Sequence, residues 1–265
     1  MRLLTIIMTI AILTSPSLHA VKKDDSSTMT PELFSAMKLR NIGPAYMSGR
    51  IADIEVDSKN PSVWYIAVGS GGVWKTENAG ITWTPIFDKQ SVFSTGDVTI
   101  DPSNSNVIWV GTGENNGGRH VSFGDGVYKS LDGGETWENK GLRNSEHISD
   151  IIVHPQDSNT VWVSSQGPLW TDGGERGLFK TTDGGETWTN VLETNKWTGV
   201  TSLVIDSRNP DKLYAATWQR QRTLPAFVGT GPGSKIHTSD DGGTTWQELS
   251  NGLPDADMGK IGLAI

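Results

Sequence analysis

Ser130-Leu131-Asp132-Gly133-Gly134-Glu135-Thr136-Trp137 is one of four copies of an eight-residue pattern, Ser/Thr-x-Asp-x-Gly-x-Thr-Trp, and that recurrence decides the fold. The other copies run from Thr76 to Trp83, where Asn78 stands in the Asp place, from Thr181 to Trp188, and from Ser239 to Trp246. Their tryptophans (Trp83, Trp137, Trp188 and Trp246) are about 51 to 58 residues apart, enough for a four-stranded sheet with variable loops. In each turn the carboxylate of Asp132, Asp183 or Asp241 is placed to accept from backbone N–H groups and the Thr hydroxyl. Gly supplies a conformation that a side chain penalises, and the Trp packs across the hairpin. Asn78 keeps an acceptor but loses the charge, so these positions read as structural rather than catalytic.

Working outward, each copy sits in a larger repeat. An alternating segment ends in a turn upstream: Ile54-Glu55-Val56-Asp57, Val98-Thr99-Ile100-Asp101, Ile151-Ile152-Val153-His154 and Leu203-Val204-Ile205-Asp206. A second apolar run follows, such as Val63 to Val68 or Val107 to Val110. A third, such as Gly126-Val127-Tyr128-Lys129, leads into the box, and a fourth starts at its Trp. A four-stranded meander cannot bury both faces alone, so such units stack around an axis. The predicted fold is all-β: a propeller of about four four-stranded blades at 46–90, 91–144, 145–196 and 197–254. Residues 255–265 would supply the first strand of a fifth, because Ile261 to Ile265 repeats the opening segment. A propeller left at that point has an unpaired edge, so the expectation is an incomplete ring and a fragment of a longer chain.

The first residues carry a targeting pattern. Arg2, an apolar run from Leu3 to Leu13, Pro16 and Ala20 resemble a secretory signal peptide at 1–20, and a linker with a short helix is expected at 21–45. The expected location is secreted or periplasmic, with no membrane span after cleavage. Of the 265 residues, 22 are Lys or Arg and 30 are Asp or Glu; the formal charge of −8 argues against a nucleic-acid partner. The chain has no Cys, which removes disulfides and thiolate metal sites. His120, His147 and His154 lack metal-ligand spacing, and neither a metal nor a cofactor is expected.

The four boxes match the Asp-box, or BNR repeat, and from about Leu39 to Ile265 the chain resembles bacterial sortilin-like and glycosyl-hydrolase-like BNR propellers. That motif speaks for fold and little for function. The resemblance to xyloglucan-cleaving enzymes implies a catalytic Asp in a motif Asp-x-Gly-Gly-x-aromatic-basic. In the matching stretch Gly69-Ser70-Gly71-Gly72-Val73-Trp74-Lys75, Gly69 stands where that Asp would be. A general acid/base pair would thereby lack one member. Leu39-Arg40-Asn41-Ile42-Gly43-Pro44 only loosely echoes the arginine signature of sialidases, so that chemistry is not carried over.

Antiparallel sheets put the boxes on one face and the second-to-third and fourth-to-first connections on the other. The second-to-third connections are long and chemically mixed, which is where binding is expected. Candidate ligand-binding residues are Arg50, Asn115, Asn116, Arg119, His120, Trp170, Arg176, Trp218 and Arg220. Glu114 and Asp125 are the candidate catalytic carboxylates, with salt bridging to Arg119 as the alternative. The expected role is a binding or interaction module for a peptide, a protein or an extracellular glycan on the face opposite the boxes, without catalysis within this stretch. The alternative is a glycoside hydrolase whose carboxylates lie partly outside it. A third reading is an assembly factor recognised through Arg119, Arg176, Arg220 and Arg222.

Overall fold

The computed structural model describes residues 50–265. The expected signal peptide, linker and short helix lie outside the described residues. Within them there is no helix, and so none long and apolar enough to cross a membrane.

The chain builds four antiparallel four-stranded sheets in sequence order. The first contains β1 (Ile51–Val56), β2 (Trp64–Val68), β3 (Gly72–Thr76) and β4 (Thr84–Pro85). The second contains β5 (Thr95–Asp101), β6 (Asn104–Thr112), β7 (Val127–Ser130) and β8 (Glu138–Asn139). The third contains β9 (Ile148–His154), β10 (Asp157–Ser165), β11 (Gly177–Thr181) and β12 (Thr189–Leu192). The fourth contains β13 (Thr198–Asp206), β14 (Asn209–Gln219), β17 (Ile236–Ser239) and β18 (Gln247–Leu249), interrupted by a small hairpin of β15 (Gln221–Arg222) and β16 (Phe227–Val228). That hairpin is the one ladder that the repeat did not predict.

The core lies between consecutive sheets rather than inside any one of them. Period-two alternation sends successive side chains of β6 to opposite neighbours. Ile108 and Val110 pack with Tyr65, Ala67 and Val73 of the first sheet. Val107 and Trp109 pack with Ile151, Val153 and Val161 of the third. A third cluster, with Trp162, Leu178, Leu203 and Leu213, joins the third sheet to the fourth. On β1, beside which no preceding sheet lies among the described residues, Ile54 and Val56 are exposed, whereas Val98 on β5 and Ile151 on β9 are buried. Residues 259–265 carry no assigned strand, since a ladder needs a partner strand. Even so, the Leu263 N–H donates to Ser202 Oγ at 3.3 Å, repeating an inter-sheet contact described below.

The boxes close as the sequence implied. Asp132 Oδ1 accepts from Ser130 Oγ at 2.7 Å and from the Thr136 N–H at 2.9 Å, and Asp132 Oδ2 accepts from the Thr136 hydroxyl. Asp183 and Asp241 repeat the set. These bonds stabilise the anion and hold Asp132 and Asp241 down to about 2, with Asp183 lower still. At Asn78 one bond reverses: its Nδ2 donates to Thr82 Oγ1 at 2.8 Å, which the amphoteric hydroxyl allows.

The box tryptophans do more than cross their own hairpins. Trp137 Nε1 donates to Ile86 O in the preceding sheet at 2.9 Å, and Trp188 Nε1 donates to Lys140 O at 2.7 Å. A reciprocal grip comes from the second and third strands. Trp109 packs against the next box, where a Cβ at Gly185 would lie 2.8 Å from its ring, and Lys129 Nζ donates to Gly184 O at 3.0 Å. Trp162 and Lys180 hold Gly242 O in the same way, at 3.2 and 2.7 Å. The boxes that end in Trp137, Trp188 and Trp246 are therefore rivets between blades as well as turns.

Candidate functional site

Three loops make up the rim opposite the boxes: residues 113–126 between β6 and β7, 166–176 between β10 and β11, and 220–235 between β14 and β17. Buried arginines hold them in place. Arg176 donates to the carbonyls of Gly173, Gln166, Pro168 and Thr171, folding its own loop around one guanidinium. Arg220, fully buried, donates to Asn116 O at 2.6 Å and Gly167 O at 3.3 Å, and so joins the loops of three successive sheets. Arg222 Nε adds a bond to Gly117 O at 2.6 Å, and Arg119 Nη2 one to Leu224 O at 3.1 Å. Trp218 is buried beneath the β15–β16 hairpin, with Nε1 on Gly229 O and its ring edge-on to Phe227.

Arg176, Arg220 and Trp218, expected on sequence grounds at the ligand surface, are thus turned inward and spend their polar groups on backbone carbonyls. Burial lowers Arg220 to about 9 and Arg176 to about 10; Arg176 also disfavours the charge on Arg220. Asn115 donates to Thr201 Oγ1 at 3.1 Å, and Asn116 Oδ1 accepts from the Gly118 N–H, so both amides also shape loops. Arg119, His120 and Trp170 remain exposed.

Arg50 joins Glu114 and His120. Its Nε and Nη2 both donate to the Glu114 carboxylate at 2.5 Å, and Nη1 contacts His120 Nε2 at 2.7 Å. Because a guanidinium can only donate, Nε2 must accept, which places the imidazole proton on Nδ1. The Glu114 hydrogen bond raises the Arg50 pKa. Asp125 lies in a separate set: Oδ2 accepts from Ser91 Oγ at 2.7 Å and Tyr128 OH at 2.9 Å, with Arg143 at 3.7 Å. The cations beside the two carboxylates are Arg50 and Arg143, where Arg119 had been the expected one.

Gly69 gives this arrangement its meaning. A Cβ there would lie 2.9 Å from Glu114 Cδ and 3.1 and 3.2 Å from its oxygens. The space that a side chain at 69 would need is filled by a carboxylate from the next sheet. Gly69→Asp, which restores the sequence motif, should therefore crowd two carboxylates and split the Arg50–Glu114 pair. The expected outcome is a loss of about 1–3 kcal/mol in chemical denaturation and no gain of hydrolysis; an unchanged midpoint would refute the packing.

The sequence reading passed over one constellation. The residue before each opening tetrad is Asp53, Asp97, Asp150 or Ser202, a spacing visible in the repeat. Asp53, Asp97 and Asp150 each accept a backbone N–H from the next sheet, from Val98 at 3.3 Å, Ile151 at 3.0 Å and Leu203 at 2.8 Å, and Ser202 accepts one from Leu263 in the segment that follows the fourth sheet. Burial raises all three carboxyls, Asp150 to about 7; Asp53 and Asp150 add to the rise at Asp97, while Lys260 opposes it at Asp150. Glu55 is likewise raised to about 7, by burial and by Asp53.

A carboxyl raised in the folded state binds a proton there that the unfolded chain has released, so its stabilisation is complete at low pH and is lost as pH rises through the folded pKa. Melting temperature should fall as pH rises from about 4 through about 7, where Asp150 and Glu55 release their protons in the folded state. Asp97→Asn with Asp150→Asn keeps an acceptor for each N–H and should flatten the slope; a slope unchanged by the pair would disprove the assignment. The box aspartates act oppositely, losing their contribution as pH drops towards about 2.

Among the described residues no group of three or more His, Asp or Glu side chains could hold a metal ion. Sequential four-stranded sheets, riveted by boxes and carrying long loops on the opposite rim, define an Asp-box propeller. The chain belongs to the Sortilin-Vps10 family, described as sortilin, neurotensin receptor 3, whose profile matches residues 125–260, just over half of it. It is also 24% identical over 216 residues to a xyloglucanase of Paenibacillus sp., covering 73% of this chain and 20% of that protein. To a xyloglucanase of Hypocrea jecorina it is 24% identical over 204 residues, covering 76% and 21%. The GH74 enzyme of Niastella koreensis superposes with a TM-score of 0.55 at 25% identity, over 74% of this chain and 28% of that one. The chain spans about a fifth of the length of these curated relatives.

Proposed function

We propose that the chain is the recognition part of an exported protein and binds an extracellular glycan across its long-loop rim. The observation that carries this reading is how the carboxylates are used. Both Glu114 oxygens are occupied by Arg50, and Asp125 Oδ2 by Ser91 and Tyr128, while aromatic and polar side chains on the same rim stay open. Exposed aromatic faces beside hydrogen-bonding groups suit sugar rings, which offer an apolar C–H face and a hydroxyl edge. The likeness to xyloglucanases supports a polysaccharide over a peptide. The test is to incubate the whole chain with a panel of polysaccharides and a panel of peptides, and to measure retention of both and new reducing ends from the former. Retention without new ends is expected; retention of peptides alone would overturn the glycan.

A second reading, glycoside hydrolysis, is favoured by the Glu114 carboxylate lying against Gly69, because it brings an acid to the place where the motif lacks one. If that carboxylate cleaves, Glu114→Gln abolishes new reducing ends at about the level expected for loss of a general acid, 100-fold or more. Under the binding reading there is no turnover to lose.

A further inference from the structure

Between the second and third sheets, on the long-loop rim, lies an open cleft of about 460 Å³ walled by three segments. Phe123 and Asp125 come from the β6–β7 loop, Arg143 and Asn144 from the β8–β9 connection, and Pro168 and Asp172 from the β10–β11 loop. The volume falls in the range of roughly 300–1,000 Å³ typical of ligand clefts.

Its chemistry is specific. Phe123 is 68% exposed, an apolar ring displayed with no packing role to account for it. Arg143 is also open to solvent, and its guanidinium stands 3.7 Å from Asp125 Oδ2, close enough for attraction but too far for a hydrogen bond. Asp125 Oδ1 is buried without a partner, and Oδ2, already held by Ser91 and Tyr128, is the oxygen on the Arg143 side. Asp172 is neutralised by Lys196 at 2.7 Å. Glu146, the third carboxylate of the wall, lies in the field of Arg176 and Arg220. What faces the opening is an aromatic ring beside the planar donors of Arg143 and the Asn144 amide.

We propose that this cleft is a subsite for a neutral sugar, with the ring C–H face stacked on Phe123 and hydroxyls bound by the exposed Arg143 guanidinium. An acidic sugar would meet the carboxylates of Asp125 and Glu146, and an apolar ligand would strip water from Arg143 without compensation. The proposal rests on the glycan-binding reading of the rim and adds its location and ligand class.

The test is affinity electrophoresis of the whole chain in gels containing xyloglucan, a neutral β-glucan or polygalacturonate. Phe123→Ala and Arg143→Ala are compared with Leu131→Ala, an exposed apolar site on the box face. Thermal unfolding should match wild type for all three, since their side chains are exposed. Retardation by a neutral glycan should weaken about tenfold or more in each cleft variant and stay unchanged in Leu131→Ala. Wild-type binding that survives both cleft substitutions within about twofold would overturn this subsite while leaving rim recognition intact. Preference for polygalacturonate would overturn the neutral class. No retardation by any glycan would remove the broader reading together with this one.

Discussion

Trp109→Ala is expected to lower the unfolding free energy by about 3–5 kcal/mol, the cost of removing a large aromatic from a closed core. Its ring has no solvent exposure and sits between Lys129, 4.7 Å from the ring centroid, Trp188 edge-on at 6.2 Å, and the next box at Gly185. No collapse of one sheet can refill that space, because the cavity opens between two sheets whose spacing is set by the boxes. The melting temperature should drop by about 2–4 °C per kcal/mol for a domain of this size. On sequence alone Trp137 is the natural target, with an expected cost of roughly 3 kcal/mol or more. The structure leaves Trp137 only partly buried, and its substitution should cost less, about 1–3 kcal/mol, including the orphaned Ile86 carbonyl. Urea denaturation of the two variants side by side checks the order; equal costs would contradict the inter-sheet placement.

Arg220→Ala should be nearly as damaging, at roughly 3 kcal/mol or more, but with a different signature. It leaves the Asn116 and Gly167 carbonyls without their charged donor and opens the floor under three loops. Sheet cooperativity should persist while the rim loosens, so limited proteolysis should cut within 113–126 or 220–235 before global unfolding. Glycan retention should fall in parallel although Arg220 touches no solvent. Arg220→Lys should rescue only partly, because an ammonium lacks the fork that spans two carbonyls. Loops that resist protease in the alanine variant would show that the guanidinium is not their anchor.

The box pattern, its spacing and the alternation around it were enough to predict an all-β protein of four repeated sheets, because turn chemistry and period-two patterning act within a few residues of one another. The roles within the box were equally legible, down to Asn78, since hydrogen bonds spanning four residues are local. The candidate site was legible only as a rim. Sequence singled out arginines, a histidine and two tryptophans there, and burial decides which face a ligand: Arg176, Arg220 and Trp218 are internal, while Arg119, His120 and Trp170 are open.

What the tertiary structure alone decided are the contacts between repeats. Glu114 filling the space beside Gly69, Trp109 gripping the box of the next sheet, and Asp97 accepting the Ile151 N–H each join residues about 45 to 76 positions apart. Such pairs depend on how one sheet leans on the next, and no short window of sequence contains both partners. Local hydrogen-bonding chemistry is written in the repeat; the identity of the side chains that meet across a blade boundary, and so the shape of the rim, emerges only when the sheets stack.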